Sequence, residues 1–185
     1  MKKSETENEL ETQKQELIAA LKACGAVRYG DFTLASGKKS KYYIDIKKAS
    51  TDPKTLKLIA QQAAFRIKQM DVNIVAGVEL GGVPLATAVS LETELPLLIV
   101  RKAVKGYGTK SRFVGDIKPE NRLVMLEDVT TSGGSARDAI DVIRETGASV
   151  KYVISVVDRE EGAKENLNKA GTELIPLVSA SDLLK

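Results

Sequence analysis

"VMLEDVTTSGGSA", Val124 to Ala136, joins an apolar run to a run of glycines and hydroxyl residues through two acids. Its first half reads as a strand end over Leu123 to Leu126, its second as a turn over Thr130 to Ser135, with a helix from Ala136. The first N–H groups of a helix have no intrahelical acceptor, and the helix dipole adds positive potential there. Gly133 and Gly134 let the backbone close around an oxyanion, and the hydroxyls of Thr131, Ser132 and Ser135 add donors. This pattern fits a phosphate monoester. The spacing GxxxxGK[ST] of a triphosphate loop and the GxGxxG of a dinucleotide fold are both missing. Glu127 and Asp128, when ionised, only accept hydrogen bonds, so their natural partners are a diol or a cation. A diol a few ångströms from a phosphate describes ribose 5-phosphate. The plainer alternative is a capped helix with two solvated acids, but six small or hydroxyl residues exceed what a cap needs.

Working outward, "NIVAGV", "LPLLIV", "RLVMLEDV" and "SVKYVISVVD" read as buried strands, alternating with helices in "GGVPLATAVSLE" and "SARDAIDVIRETG". Such alternation predicts an α/β fold: a central, mostly parallel sheet with helices on both faces. Ligands in these sheets sit beyond the carboxyl ends of the strands. Upstream, Leu10, Leu17, Ile18 and Leu21 predict a helix over 9–23 that ends near Gly25, after a frayed stretch over 1–8. Two short strands are expected over 27–34 and 42–46, joined by "ASGKKS". "TDPKTLKLIAQQAAFRIKQM" predicts an amphipathic helix with Thr51 or Asp52 as its cap and Pro53 at its first position. Residues 101–117, "RKAVKGYGTKSRFVGDI", break the rhythm with five basic residues and three glycines.

The 185 residues suit a single domain, and 43% hydrophobic with 29% charged residues is ordinary for a globular chain. A net charge of +3 is too small to imply nucleic acid or a membrane surface as partner. With no histidine and one cysteine, Cys24, histidine triads and zinc sites are excluded. Cys24 is expected to be a small buried hydrophobe on a helix. The charged start "MKKSETENELETQKQE" lacks the apolar core of a signal peptide, and the longest apolar run, Leu95 to Val100, is far short of a membrane span. A cytoplasmic location is expected.

"VMLEDVTTSGGSA" resembles the phosphoribosyl-diphosphate (PRPP) signature of type I phosphoribosyltransferases. The resemblance implies that Glu127 and Asp128 hold the ribose hydroxyls. Val129, Thr130, Thr131, Ser132, Gly133, Gly134 and Ser135 would form the loop for the 5-phosphate. "FTLASGKKSKYYID" and "VVDREEGAKENL" resemble the substrate segments of the orotate-using members, and "VRKAVKGYGTKSRFVGDI" resembles their mobile loop. The resemblance covers nearly the whole chain, from about Leu17 to Leu183, in the family's order. They imply orotate contacts from Tyr43, Ile44, Thr131 and Arg159, the last facing the orotate carboxylate as a guanidinium suits. They imply a small N-terminal hood within 9–50 and a mobile lid over 101–116, reaching across a homodimer. Arg101, Lys102, Lys105 and Tyr107 of that lid would meet the PRPP diphosphate, with Lys102 as the main catalytic cation acting with Asp128. Mg2+ is expected to arrive with PRPP, without a dedicated metal site.

Some positions depart from enteric-type members. Ala35 replaces a lysine before the S-G of the first segment, Leu80 and Gly81 replace Tyr-Lys, and Tyr107 and Thr109 replace a histidine and a glutamate. The backbone N–H groups of Glu79, Leu80, Gly81 and Gly82 are expected to hold the diphosphate instead, as an anion nest. The alternative there is a tight strand–helix turn with Pro84 at the first helical position. Two rival functions stay open: a phosphoribosyltransferase for a purine or uracil, and a PRPP-sensing regulator without catalysis.

Overall fold

The computed structural model describes residues 2–33, 39–102 and 111–184. Helix α1 (Lys2–Ala23) is followed by a hairpin of β1 (Val27–Thr33) and β2 (Lys39–Ile44), then α2 (Ile46–Thr51) and α3 (Pro53–Ile67). The alternating part is β3 (Ile74–Val78), α4 (Gly82–Thr93), β4 (Leu97–Val100), β5 (Phe113–Val114), β6 (Arg122–Thr130), α5 (Gly134–Arg144) and β7 (Ser149–Asp158). The chain ends with α6 (Ala163–Lys169), β8 (Glu173–Ser179) and α7 (Ala180–Leu183).

The main sheet has the order β5-β4-β3-β6-β7-β8, parallel except for β5 at one edge. Strand β6 shows why it sits in the middle. Val124 and Leu126 point into one core with Leu85 of α4, Ile59 of α3 and Leu17 of α1, while Leu123 and Met125 point into the other with Ile140 and Ile143 of α5. Successive side chains of a strand face opposite ways, so an uninterrupted apolar run is what a two-sided burial requires. From β3 the chain moves outward to β4 on one side, then returns to β6 on the other. The carboxyl ends of β3 and β6 therefore flank the switch point where ligands bind in such sheets.

Helix α4 lies unusually close to this point. A Cβ on Gly77 would stand 2.5 Å from the Gly82 carbonyl oxygen and 2.7 Å from the Ala86 Cβ. Both obstacles belong to packed backbone or core, so Gly77→Ala is expected to cost about 1–3 kcal/mol of stability. A urea-unfolding midpoint unchanged from the parent chain would contradict this close packing.

Several boundaries differ from the sequence reading. Helix α1 begins at Lys2, well ahead of the expected start at Glu9 and inside the stretch expected to fray. Glu, Lys and Gln are good helix formers and carry the helix beyond its apolar stripe. Cys24 falls one residue past its end, half-buried, its thiol against the Leu21 carbonyl. Ile46 opens α2 and does not end β2. Asp52, with Pro53 behind it, does cap α3, its carboxylate accepting from the Thr55 N–H at 2.8 Å. Pro84 sits two residues after the first position of α4, which is Gly82. Strand β8 contains Pro176; as an edge strand, it tolerates a residue without an N–H.

Candidate active site

β6 holds the whole of "RLVMLEDV" and one residue more, passing the strand end read over Leu123 to Leu126: Glu127, Val129 and Thr130 stay in register with Ser155, Val157 and Asp158 of β7. The two acids thus belong to the strand, and alternation sends them different ways. Glu127 is 7% exposed, and its Oε1 is buried with no hydrogen-bond partner. Burial, reinforced by the neighbouring Asp128 and opposed by Lys102, pushes its carboxyl up to about 8. At neutral pH the Glu127 carboxyl of the free chain therefore keeps its proton, where the sequence reading treats it as a charge. Asp128 is held differently: its Oδ1 accepts from the Val129 N–H at 2.9 Å, and its Oδ2 lies 3.6 Å from the Lys47 ammonium.

Beyond the acids, Thr131 to Gly133 form the turn and α5 starts at Gly134. Gly133 adopts φ +80, a region that glycine enters without strain, and it caps α5 with no side chain contributing. A plain capped helix is thus not what the hydroxyl residues serve. Residues 129–136 and Glu127 line a cavity of about 190 Å³. The turn is strapped from behind by Asn166 of α6, whose amide donates to the Ser132 carbonyl at 2.9 Å. Thr130 is the exception in the hydroxyl run. It is buried, and its hydroxyl is spent on Asp158 at 3.0 Å, within reach of Ser155 at 3.3 Å.

A second cavity, of about 210 Å³, shares Glu127, Val129 and Ser135 with the first. Its remaining wall comes from Lys47, Asp128, Lys102 and the Glu79–Gly81 turn. The Glu79–Leu80 peptide bond is cis. Of the four N–H groups expected to form an anion nest, that of Glu79 is not available, because it donates to the Val100 carbonyl at 3.0 Å as part of the sheet. Those of Leu80, Gly81 and Gly82 lead into α4, where helix geometry supplies no acceptor. Gly81 is confined: a Cβ there would fall 2.1 Å from Asp128 Oδ2.

Lys102 follows β4 and lines both this cavity and a neighbouring one of about 160 Å³. Its N–H donates to the Glu79 carboxylate at 3.2 Å. Arg101 donates its N–H to the Arg112 carbonyl at 2.8 Å, and the Arg112 guanidinium returns a bond to the Arg101 carbonyl at 3.1 Å. This clasp, not seen in the sequence, ties together the two described ends of the basic segment. Lys105 and Tyr107 lie outside the described residues, as does Ala35.

At the carboxyl end of β7, Arg159 donates its N–H to the Thr130 carbonyl at 2.9 Å. Its guanidinium sits 5.9 Å from the centre of the Tyr42 ring, and its Nε is 3.0 Å from Glu161. That Nε is buried without a hydrogen bond, because the Glu161 oxygen is close but misaligned. Tyr42 and Tyr43 are neighbours on β2 and face opposite ways. Tyr43 stacks on Phe32, with ring centres 5.6 Å apart, and under Arg28, while Ile44 packs on the core. The structure sets Tyr42 beside Arg159, and Tyr43, the expected orotate contact, beside Phe32 and Arg28. Among the described residues, no group of three or more acids and cysteines stands together as a metal site, and no helix is long and apolar enough to cross a membrane.

Comparison with known proteins agrees with this architecture. The phosphoribosyl transferase domain family matches residues 48–175. The orotate phosphoribosyltransferase of Methanosarcina mazei is 85% identical over 182 residues, covering 98% of this chain and 97% of the relative. The crystal structure of orotate phosphoribosyltransferase from Aeropyrum pernix superposes with a TM-score of 0.77 at 32% identity, over 91% of this chain and 96% of that one. The Mycobacterium tuberculosis enzyme in complex with PRPP superposes with a TM-score of 0.78 at 28% identity, over 94% of this chain and 99% of that one. By family match, identity and fold, the chain belongs to the phosphoribosyltransferases and, among them, to the orotate phosphoribosyltransferase family.

Proposed function

We propose that the chain transfers the 5-phosphoribosyl group from PRPP to orotate, giving orotidine 5-monophosphate and diphosphate in pyrimidine biosynthesis. The observation that carries this reading is the buried Glu127 carboxyl, with an unpartnered oxygen, on the wall of a cavity closed by the glycine and hydroxyl turn. A diol supplies the missing partner, and a phosphate on the same sugar reaches the turn. Orotate is favoured as acceptor by Arg159, a guanidinium at the adjacent strand end with a buried, unspent N–H, and by the names of the relatives.

In this reading a ring nitrogen of orotate, already deprotonated, attacks the ribose C1. The C1–oxygen bond to diphosphate breaks, and diphosphate leaves with the electron pair. The centre passes through an oxocarbenium-like state, so the protein's task is placement and charge stabilisation. Asp128 and Glu127 fix the sugar through its hydroxyls, Thr131, Ser132, Gly133, Gly134 and Ser135 take the 5-phosphate, and Lys102 faces the departing group. Leu80, Gly81 and Gly82 offer backbone N–H groups to it. Lys105 and Tyr107 are proposed to close over the same end, in a homodimer whose 101–116 segment serves the partner's site. The carboxylates of Glu127 and Asp128 suit Mg2+ carried on PRPP, since magnesium takes one or two carboxylates and fills its shell with phosphate oxygens and water. The metal would offset diphosphate charge. A reducing, cytoplasmic setting is consistent with the single cysteine.

The test is loss of orotate absorbance with PRPP and magnesium, run beside uracil, hypoxanthine and adenine. Consumption of orotate alone is expected. Turnover of a purine would replace the acceptor in this reading, and PRPP binding without any turnover would make the chain a regulator.

A further inference from the structure

The diphosphate end of the second cavity is short of cations. Glu79, Glu127 and Asp128 line it, against which the only described side-chain cations on its wall are Lys102 and Lys47. The β3–α4 turn, Glu79-Leu80-Gly81-Gly82, carries none. A Cβ at Gly81 would meet Asp128 Oδ2 at 2.1 Å, so with this carboxylate position the turn supplies backbone alone. The Lys47 ammonium lies 3.6 Å from that same oxygen.

That distance is an ion pair but too long for a hydrogen bond, and the Lys47 side chain is 65% exposed. Its base is firm. Ile46 and Ala49 on either side are buried in the core, and the Ser50 and Thr51 hydroxyls both donate to the Lys47 carbonyl. A fixed backbone with a loosely held ammonium on a four-carbon arm is suited to following a mobile anion. Lys47 also lies just ahead of residues 48–175, the part of the chain that matches the general phosphoribosyl transferase domain.

We propose that Lys47 is a diphosphate-binding residue, delivered from α2 to the side of the cavity where the β3–α4 turn carries no cation, with Asp128 as its resting partner. When a ribose diol takes the Asp128 carboxylate, Lys47 turns to the diphosphate of the same substrate. This rests on the reading of the cavity as a PRPP site.

The experiment compares Lys47→Gln, Lys47→Arg and the parent chain by calorimetry with inorganic diphosphate and with ribose 5-phosphate, each with magnesium, and by steady-state kinetics. Lys47→Gln is expected to weaken diphosphate binding and raise the KM for PRPP by roughly tenfold, the loss of one charge-assisted contact. Ribose 5-phosphate affinity and the KM for orotate stay within about twofold, and Lys47→Arg restores most of the loss. Unchanged diphosphate binding in Lys47→Gln would overturn the proposal. So would an equal loss for ribose 5-phosphate, which would assign Lys47 to holding Asp128 in place. Failure of the parent chain to bind diphosphate or consume orotate would instead remove the PRPP reading beneath it.

Discussion

Lys102→Ala is expected to lower kcat for orotidine 5-monophosphate formation by about a thousandfold while PRPP affinity changes only a few-fold. The size follows from what a cation does at a site where charge develops: removing one such group costs roughly 3–4 kcal/mol in the transition state. The ground state loses less, because the phosphate turn, the two acids and Lys47 still hold the substrate. The structure adds a second consequence. The Lys102 charge lowers the Glu127 carboxyl, as the Asp128 N–H also does, against burial and the Asp128 charge. Its removal therefore moves Glu127 deprotonation further up, and any part of PRPP binding that needs Glu127 ionised should shift to higher pH with it. Single-turnover rates beside equilibrium PRPP titrations, each across a pH series, make the check. Near-parental turnover in Lys102→Ala would take Lys102 out of the reaction.

Glu127→Gln is expected to have opposite effects on activity and on stability. In the folded chain Glu127 keeps its proton up to about pH 8, against 4.5 for a free carboxyl. A raised carboxyl favours folding most below about pH 4.5, and that contribution is lost progressively as pH climbs towards 8. The amide variant has no proton to lose. Its stability relative to the parent should therefore grow by roughly 2–3 kcal/mol between about pH 6 and about pH 9. Over the same range its kcat/KM for PRPP should fall about a hundredfold below the parent. A neutral amide cannot replace an ionised acceptor for two sugar hydroxyls, and it leaves a buried polar group mispaired. Urea-unfolding midpoints at the two pH values, with kinetics alongside, measure both. Equal pH dependence of the two proteins would show that Glu127 titrates as an ordinary exposed acid.

Much of this was readable from residues 124–136, because a two-sided buried strand and a glycine turn before a helix are local patterns. Where β6 ends was less so, since its continuation to Thr130 depends on pairing with β7 some thirty residues later. The difference between Glu127 and Asp128 was hidden for the same reason: two adjacent carboxylates look alike until the strand assigns each a side. Lys47 stands outside every segment that resembles the family, and Tyr42, Asn166 and Arg112 stand inside such segments without a role of their own. Each reaches the site from a distant segment, and only three-dimensional packing brings it there. The one available signal was alternation in β2, which opposes Tyr42 to Tyr43 and so tells that at most one of them faces any given ligand.

The pairing of Thr130 with Asp158 has a consequence for the length of ligand that fits. The hydroxyl–carboxylate bond between them, and the Arg159 N–H on the Thr130 carbonyl, fasten the ends of two neighbouring strands at one level. One strand then opens into the turn proposed for a phosphate and the other into the guanidinium proposed for a base. The sheet thus acts as a caliper whose jaws are set by hydrogen-bond register. A slip of one residue in either strand would reverse its side chains and spoil the gauge. Selection for a whole nucleotide, rather than for its parts, is in this sense a property of strand pairing.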